Sequence, residues 1–232
     1  MPWAMCKRTG NTYCSVFGRD VTSWSHDAPM GQPEWVAAAF DPLLEAMTLA
    51  DAGDITASLA LYHREVPDRK LNEWYDLHAQ YAYKWRCTDR GIPSPKKLPA
   101  EQLAPKLGNP ESALPQQVFA RDSYRCRYCN TRLFAYPAFT RFEQTVGREA
   151  FTVTKSPGNK AKAGAAMVFR PTADHVEPWS RGGQTGLANL VTSCWPCNFG
   201  KMEYTVAEMG ITDPRLRPAI DDGWDGLRTP RA

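Results

Sequence analysis

Two matched cysteine pairs and a short run of polar residues carry the chemistry in this sequence. The pairs are Cys126-x-x-Cys129 and Cys194-x-x-Cys197. A Cys-x-x-Cys turn sets two thiolates on one side of a tight knuckle. Two knuckles complete the closed tetrahedral site expected of structural zinc. The 64 residues between Cys129 and Cys194 must then return to their start, and such a site stabilises a domain too small to bury enough core alone. A redox reading needs one pair inside a βαβ pattern, and this sequence has neither feature. Ahead of the second pair stand Asp174 and His175. An imidazole titrates near neutral pH and can serve as a general base toward water. Asp174, one residue earlier on an extended strand, points to the opposite side, where its carboxylate can hold a divalent cation. An activated water, a neutralised phosphate and a stabilised leaving oxygen are what phosphodiester hydrolysis requires. Hard oxygen ligands suit Mg²⁺ or Mn²⁺, and nearby nitrogen donors admit Ni²⁺ or zinc. Cys6, Cys14 and His26 offer a second metal site, weighed against free buried thiols, with Cys87 among the latter.

The rest of the chain must position these groups. Residues 1–32 are rich in Gly, Ser, Thr and Pro and have no clear period. Pro33 and Glu34 open a helical run in which Trp35, Val36, Phe40, Leu43, Leu44 and Met47 recur at three- and four-residue spacing. Breaks at 52–54 and 67–68 separate it from a second helix over about 55–63 and an aromatic-rich third over about 71–88. Residues 33–90 therefore read as a small helical domain. Residues 91–114, with five prolines and three lysines, read as a linker or as a basic strap over the next domain. A short helix is predicted over 115–121, then short strands and turns. Residues 133–170 form a long insertion, whose stretch 155–166 reads as a flexible tip. Pro196 fits the first turn of a helix predicted to run to about residue 209, and 211–232 read as a loose tail.

The order of the polar residues is similar to one known family. The run Thr172-Ala173-Asp174-His175-Val176-Glu177-Pro178 is followed by Arg181-Gly182-Gly183, Asn189-Leu190 and Cys194-Trp195-Pro196-Cys197-Asn198-Phe199-Gly200-Lys201. This resembles the HNH endonucleases, also called ββα-metal or His-Me finger nucleases. The upstream segment Phe119-Ala120-Arg121-Asp122-Ser123-Tyr124-Arg125-Cys126-Arg127-Tyr128-Cys129 resembles the start of that domain. The resemblance covers about 115–210, with 133–170 departing from the compact family pattern. It implies a zinc-containing ββα-metal nuclease domain, which with the helical N-terminal domain read from the pattern above gives an α+β fold. It implies that Asn189 ties down the loop 176–188 and so orients His175. It places Asn198 where the family often has His, an HNN variant in which the amide oxygen joins Asp174 on the cation. Cleavage of DNA to 5′-phosphate and 3′-hydroxyl ends is the family chemistry. Lys201, one helical turn beyond Asn198, and Arg181, beside the glycines, are the expected phosphate contacts. Restriction, anti-phage defence, mobile-element and toxin roles are all compatible with such a domain.

Composition narrows the alternatives. At 43% hydrophobic and 23% charged, the chain has material for a core and is not disordered as a whole. No stretch approaches a membrane span, and the first ten residues lack the apolar run of a secretory signal, so the cytosol is the expected compartment. Residues 1–115 carry 12 Lys+Arg against 14 Asp+Glu, and 116–209 carry 12 against 7. The positive excess of five coincides with the cysteine pairs and favours a polyanionic partner, which the resemblance makes nucleic acid, DNA first. Two other classes use the same features: a non-catalytic zinc-stabilised nucleic-acid-binding module, and an adaptor whose helical domain 33–90 binds a partner protein.

Overall fold

The computed structural model describes residues 25–153 and 162–230. Helices α1 (Glu34–Ala38) and α2 (Phe40–Asp51) follow the apolar stripe, with Val36, Phe40, Leu43, Ala46, Met47 and Ala50 turned inward. Asp54 caps α3 (Ile55–Glu65) by accepting the Ala57 N–H at 3.0 Å. Ser58 reaches across to the Ala46 carbonyl at 2.7 Å and closes the α2–α3 hairpin. The aromatic-rich run divides into α4 (Asp68–Leu77) and α5 (Ala82–Arg86), with a turn of 3₁₀ helix at Ala79–Tyr81 between them. Buried Arg86 donates to the carbonyls of Ser25, Ala28 and Pro29, which pins 25–29 against α5.

The cysteine-bearing part begins with α6 (Ala113–Arg121), and the first knuckle comes directly after it. The insertion is not a loose excursion. It contains α7 (Tyr136–Val146) and α8 (Gly164–Val168), both with buried apolar faces. Phe142 and Phe151 meet edge to face at 4.9 Å, and both touch Tyr62 of α3. Asp68 accepts the Gly164 and Ala165 N–H groups at 3.0 and 2.8 Å. A Cβ on Gly164 would lie 2.1 Å from the Asp68 carbonyl oxygen, so only glycine allows α8 this close to α4. Residues 155–161 of the expected flexible tip lie outside the described residues, whereas 164–166 are helical and buried. The segment beyond 215, expected to be a loose tail, is also packed: Leu227 is buried, and Trp224 stacks edge to face on Phe40 and donates its indole N–H to the Leu133 carbonyl at 2.9 Å. Two large apolar side chains late in the sequence give that segment something to bury.

Strands β1 (Pro171–His175) and β2 (Leu190–Cys194) pair antiparallel, with Asp174 opposite Val191 and His175 opposite Leu190. Helix α9 (Trp195–Lys201) continues from β2 without a loop and packs back on β1. It stops at Lys201, because Met202 takes a positive φ of 53°. A separate α10 (Val206–Met209), opened by a Thr205–Glu208 capping box, covers the remainder of the predicted long helix. A mixed fold results, with a helical N-terminal region and a ββα unit in the C-terminal part. One core cluster joins α2–α5 to α6–α8 and Trp224, and a second is built around the four cysteines with Tyr128, Val176, Val191, Tyr204 and Met209. No helix among the described residues is long and apolar enough to cross a membrane.

The α4–α5 break carries a pH consequence. His78 is buried, and burial lowers its pKa from 6.5 to about 4. A group whose folded pKa is depressed contributes stability above its unfolded pKa, and that stability drains away as pH falls from 6.5 toward 4. The shift corresponds to about 3 kcal/mol. Urea unfolding at pH 7.5 and pH 4.5 should show this acid-side loss shrinking in His78→Gln, and an equal loss in both proteins would exclude His78 as its source.

Candidate active site

The two knuckles meet. The Sγ atoms of Cys126, Cys129, Cys194 and Cys197 all lie within 4.8 Å of one another, and Cys129 and Cys194 are 3.7 Å apart. Tetrahedral metal–sulfur bonds of about 2.3 Å require sulfur separations near 3.8 Å, so the four donors fit a metal ion. Burial pushes Cys194 and Cys197 well above the usual thiol range. Burial acts the same way on Cys126, but hydrogen bonds from the other three cysteines outweigh it and bring it well below. Four thiols this close cannot all ionise without a cation, so metal binding must release protons. Asp122, fully buried between Arg121 and Arg127, accepts the Thr192 N–H at 2.8 Å and ties the first knuckle to β2.

The β1–α9 contact is a ladder of three rungs. Arg170, just before β1, and Thr172 and Asp174 within it alternate along one side, and Trp195, Asn198 and Lys201 recur every third residue on the helix. The Arg170 guanidinium lies 5.1 Å from the Trp195 ring centre, Asn198 Nδ2 donates to Thr172 Oγ1 at 3.3 Å, and Lys201 Nζ stands 3.4 Å from Asp174 Oδ2. Tyr128, from within the first knuckle, donates its hydroxyl to the same Asp174 oxygen at 2.7 Å. Burial raises the Asp174 carboxyl above its ordinary value, against the opposing pull of Lys201 and Tyr128. Both contacts fall on Oδ2, so Oδ1 carries no hydrogen bond to a described residue, and neither does Asn198 Oδ1. These two uncommitted oxygens suit a hard cation.

His175 faces elsewhere. Its Nε2 is 3.0 Å from Thr185 Oγ1, and Thr185 donates its one hydroxyl proton to the Pro105 carbonyl at 2.8 Å. Thr185 can therefore only accept from His175, which puts the imidazole proton on Nε2 and leaves a lone pair on Nδ1. Burial first, and Lys201 second, lower the His175 pKa to about 4. The ring is neutral at pH 7, the state a general base needs. Asn189 spans the loop behind it: Oδ1 accepts the Glu177 N–H at 2.8 Å, and Nδ2 donates to the carbonyls of Glu177 and Gln184 at 3.0 Å. Gly183 belongs to this clasp, since a Cβ there would lie 1.9 Å from the Glu177 carbonyl oxygen and 2.9 Å from Asn189 Nδ2. Gly183→Ala should cost about 1–3 kcal/mol, read as a lower urea midpoint; an unmoved midpoint would mean that the loop gives way freely.

The basic strap lies over this same loop. Trp179 donates to the Ala104 carbonyl, the Leu98 N–H donates to the Ser180 carbonyl, and Lys97 pairs with Glu203 at 2.6 Å. Two expectations change. Lys201 is fully buried, with its ammonium on Asp174 and the carbonyls of His175, Met202 and Tyr204, so it is no phosphate contact. Arg181 turns to Glu208 at 2.5 Å, an ion pair that takes up its charge. Cys87 is a buried thiol raised to about 11 by its burial. Cys6 and Cys14 lie outside the described residues. Sequence reasoning missed Tyr128, Thr172 and Thr185. The strand period placed Thr172 beside Asp174, but nothing local tied Tyr128 or Thr185 to the site.

Residues 169–202 match the family model described as HNH endonuclease. Neither the curated proteins nor the solved structures contain a match to this chain. The matched segment contains β1, β2, α9 and the second cysteine pair.

Proposed function

We propose that this protein is a metal-dependent HNH endonuclease that hydrolyses phosphodiester bonds in DNA. The observation that carries this reading is the ββα unit with the neutral His175 imidazole on one side of β1 and the uncommitted oxygens of Asp174 and Asn198 on the other. His175 Nδ1 takes the proton of the attacking water. A divalent cation held by Asp174 and Asn198, magnesium or manganese by donor type, supplies charge neutralisation at the phosphate and at the leaving oxygen. Lys201 and Tyr128 hold the Asp174 carboxylate in place, Asn189 holds the loop 176–188, and Thr185 sets the His175 tautomer. The four cysteines hold structural zinc, and the products carry 5′-phosphate and 3′-hydroxyl ends.

Zinc-loaded protein, purified to constant specific activity, should cut DNA with Mg²⁺ or Mn²⁺ and stop when those ions are withdrawn. Intact DNA at every cation concentration would leave a zinc-stabilised binding module in its place.

A further inference from the structure

The Arg170–Trp195 rung of the ladder has no part in the proposed hydrolysis. The Arg170 guanidinium lies over two rings, 4.5 Å from the centre of Tyr136 and 5.1 Å from that of Trp195. Lys162 stands 5.4 Å above the same indole. Neither cation forms an ion pair with a described carboxylate. Arg170 is partly buried, and burial lowers its pKa against the opposing pull of Tyr136 and the Glu111 carboxylate, neither of which is in contact as an ion pair, so a bound anion would relieve a charge they only partly offset. One helical turn on, Phe199 is 39% exposed and is the one aromatic ring among the exposed large hydrophobic residues of the described chain. Trp195 at 5.4 Å and Tyr75 at 6.3 Å meet it at steep angles of 61° and 85° and do not lie parallel to it. Arg170 immediately precedes β1 and lies two residues from Thr172, on the order of 6.6 Å for extended chain, and Thr172 holds Asn198.

We propose that Arg170, Lys162, Trp195 and Phe199 grip an unpaired nucleotide next to the bond that is cut, which makes the substrate a single-stranded or frayed nucleic acid. The inference rests on the endonuclease reading for the position of that bond. The charge match is to phosphate: two cations in no close ion pair with a described carboxylate, one of them a planar guanidinium suited to bidentate contact. The exposed ring is matched to a base face. Bases inside a duplex have both faces stacked, so only an unpaired base can present one. Stacking accepts any base, so the site selects strand form and not sequence.

Fluorescence anisotropy with a labelled single strand and a blunt duplex of the same sequence, at fixed salt and without added divalent cation, tests the proposal. The single strand should bind at least about 10-fold tighter than the duplex. Phe199→Ala should lose about 10-fold on the single strand and little on the duplex, as expected for one base–aromatic stack, and Phe199→Tyr should restore it. Arg170→Gln should weaken both. Equal affinity for the two forms, no binding, or a Phe199→Ala protein that binds like wild type would overturn the grip. Adding Mg²⁺ to the same oligonucleotides separates the two readings. Cutting without strand preference defeats the grip and leaves the nuclease, whereas strand-selective binding without cutting supports the grip and defeats the nuclease.

Discussion

Cys126→Ser is expected to empty the metal site and to unfold the region around it. The second core cluster consists largely of the four cysteines and the side chains packed on them, so a metal bound there would take the place of apolar mass. Structural zinc sites bind with on the order of 10 kcal/mol or more, and in a site that forms only on folding this is folding free energy. A loss of even about 5 kcal/mol corresponds to a fall in Tm of more than about 10 °C for a chain of this size. The damage should reach the chemistry. Tyr128 sits inside the first knuckle and holds Asp174 at 2.7 Å, and Cys194 and Cys197 flank the turn that sets Asn198 on α9. Bound zinc should fall below one per chain, and the near-ultraviolet signal of Tyr128 and Tyr204 should collapse, while the first core cluster keeps most of the far-ultraviolet helix signal. A Cys126→Ser protein with wild-type Tm and no zinc would show that the four thiols are packing and not a metal site.

His175→Ala should lower the cleavage rate by about 10²–10⁴-fold, the range of a lost general base, with little change in Tm because the ring is only half-buried. The pH profile makes the assignment sharper. The base works as neutral imidazole. An ordinary histidine loses that form as pH falls through about 6.5, whereas burial and Lys201 bring His175 to about 4. The wild-type acid limb should therefore stay flat from pH 7.5 to about pH 5 and fall only below that. Thr185→Val, which removes the acceptor for Nε2–H and frees the other tautomer, should lower the rate across the whole pH range, and Thr185→Ser should restore it. A variant lacking the imidazole that cuts as fast as wild type would remove His175 from the mechanism.

The parts of this site legible in the sequence are those whose geometry is local. A Cys-x-x-Cys knuckle is fixed by three peptide units, and the alternation of Asp174 and His175 by the period of a strand, so both are available from spacing alone. Lys201 shows where that stops. One helical turn from Asn198 it reads as a phosphate contact, but the same i, i+3 relation that puts it beside Asn198 also turns it onto β1, where Asp174 and three carbonyls take its charge. Which face of α9 meets the strand is a tertiary fact. The same applies to Arg181, whose partner Glu208 lies on a helix separated from α9 only because Met202 takes a positive φ. Trp224 and Leu227 read as a tail because they lie among glycines and prolines without a period; the place of Trp224 against Phe40 depends on a residue 184 positions earlier.

The central claim is that water, deprotonated at His175, attacks phosphorus and expels a 3′-oxygen. Single-turnover cleavage in oxygen-18 water, with the product ends read by mass spectrometry, tests it most directly. Wild-type protein should yield 3′-hydroxyl ends and 5′-phosphates that each carry one oxygen-18, and His175→Ala should form that labelled product about 10²–10⁴-fold more slowly. Unlabelled phosphate, 3′-phosphate ends, or labelled product at the wild-type rate from His175→Ala would contradict the mechanism.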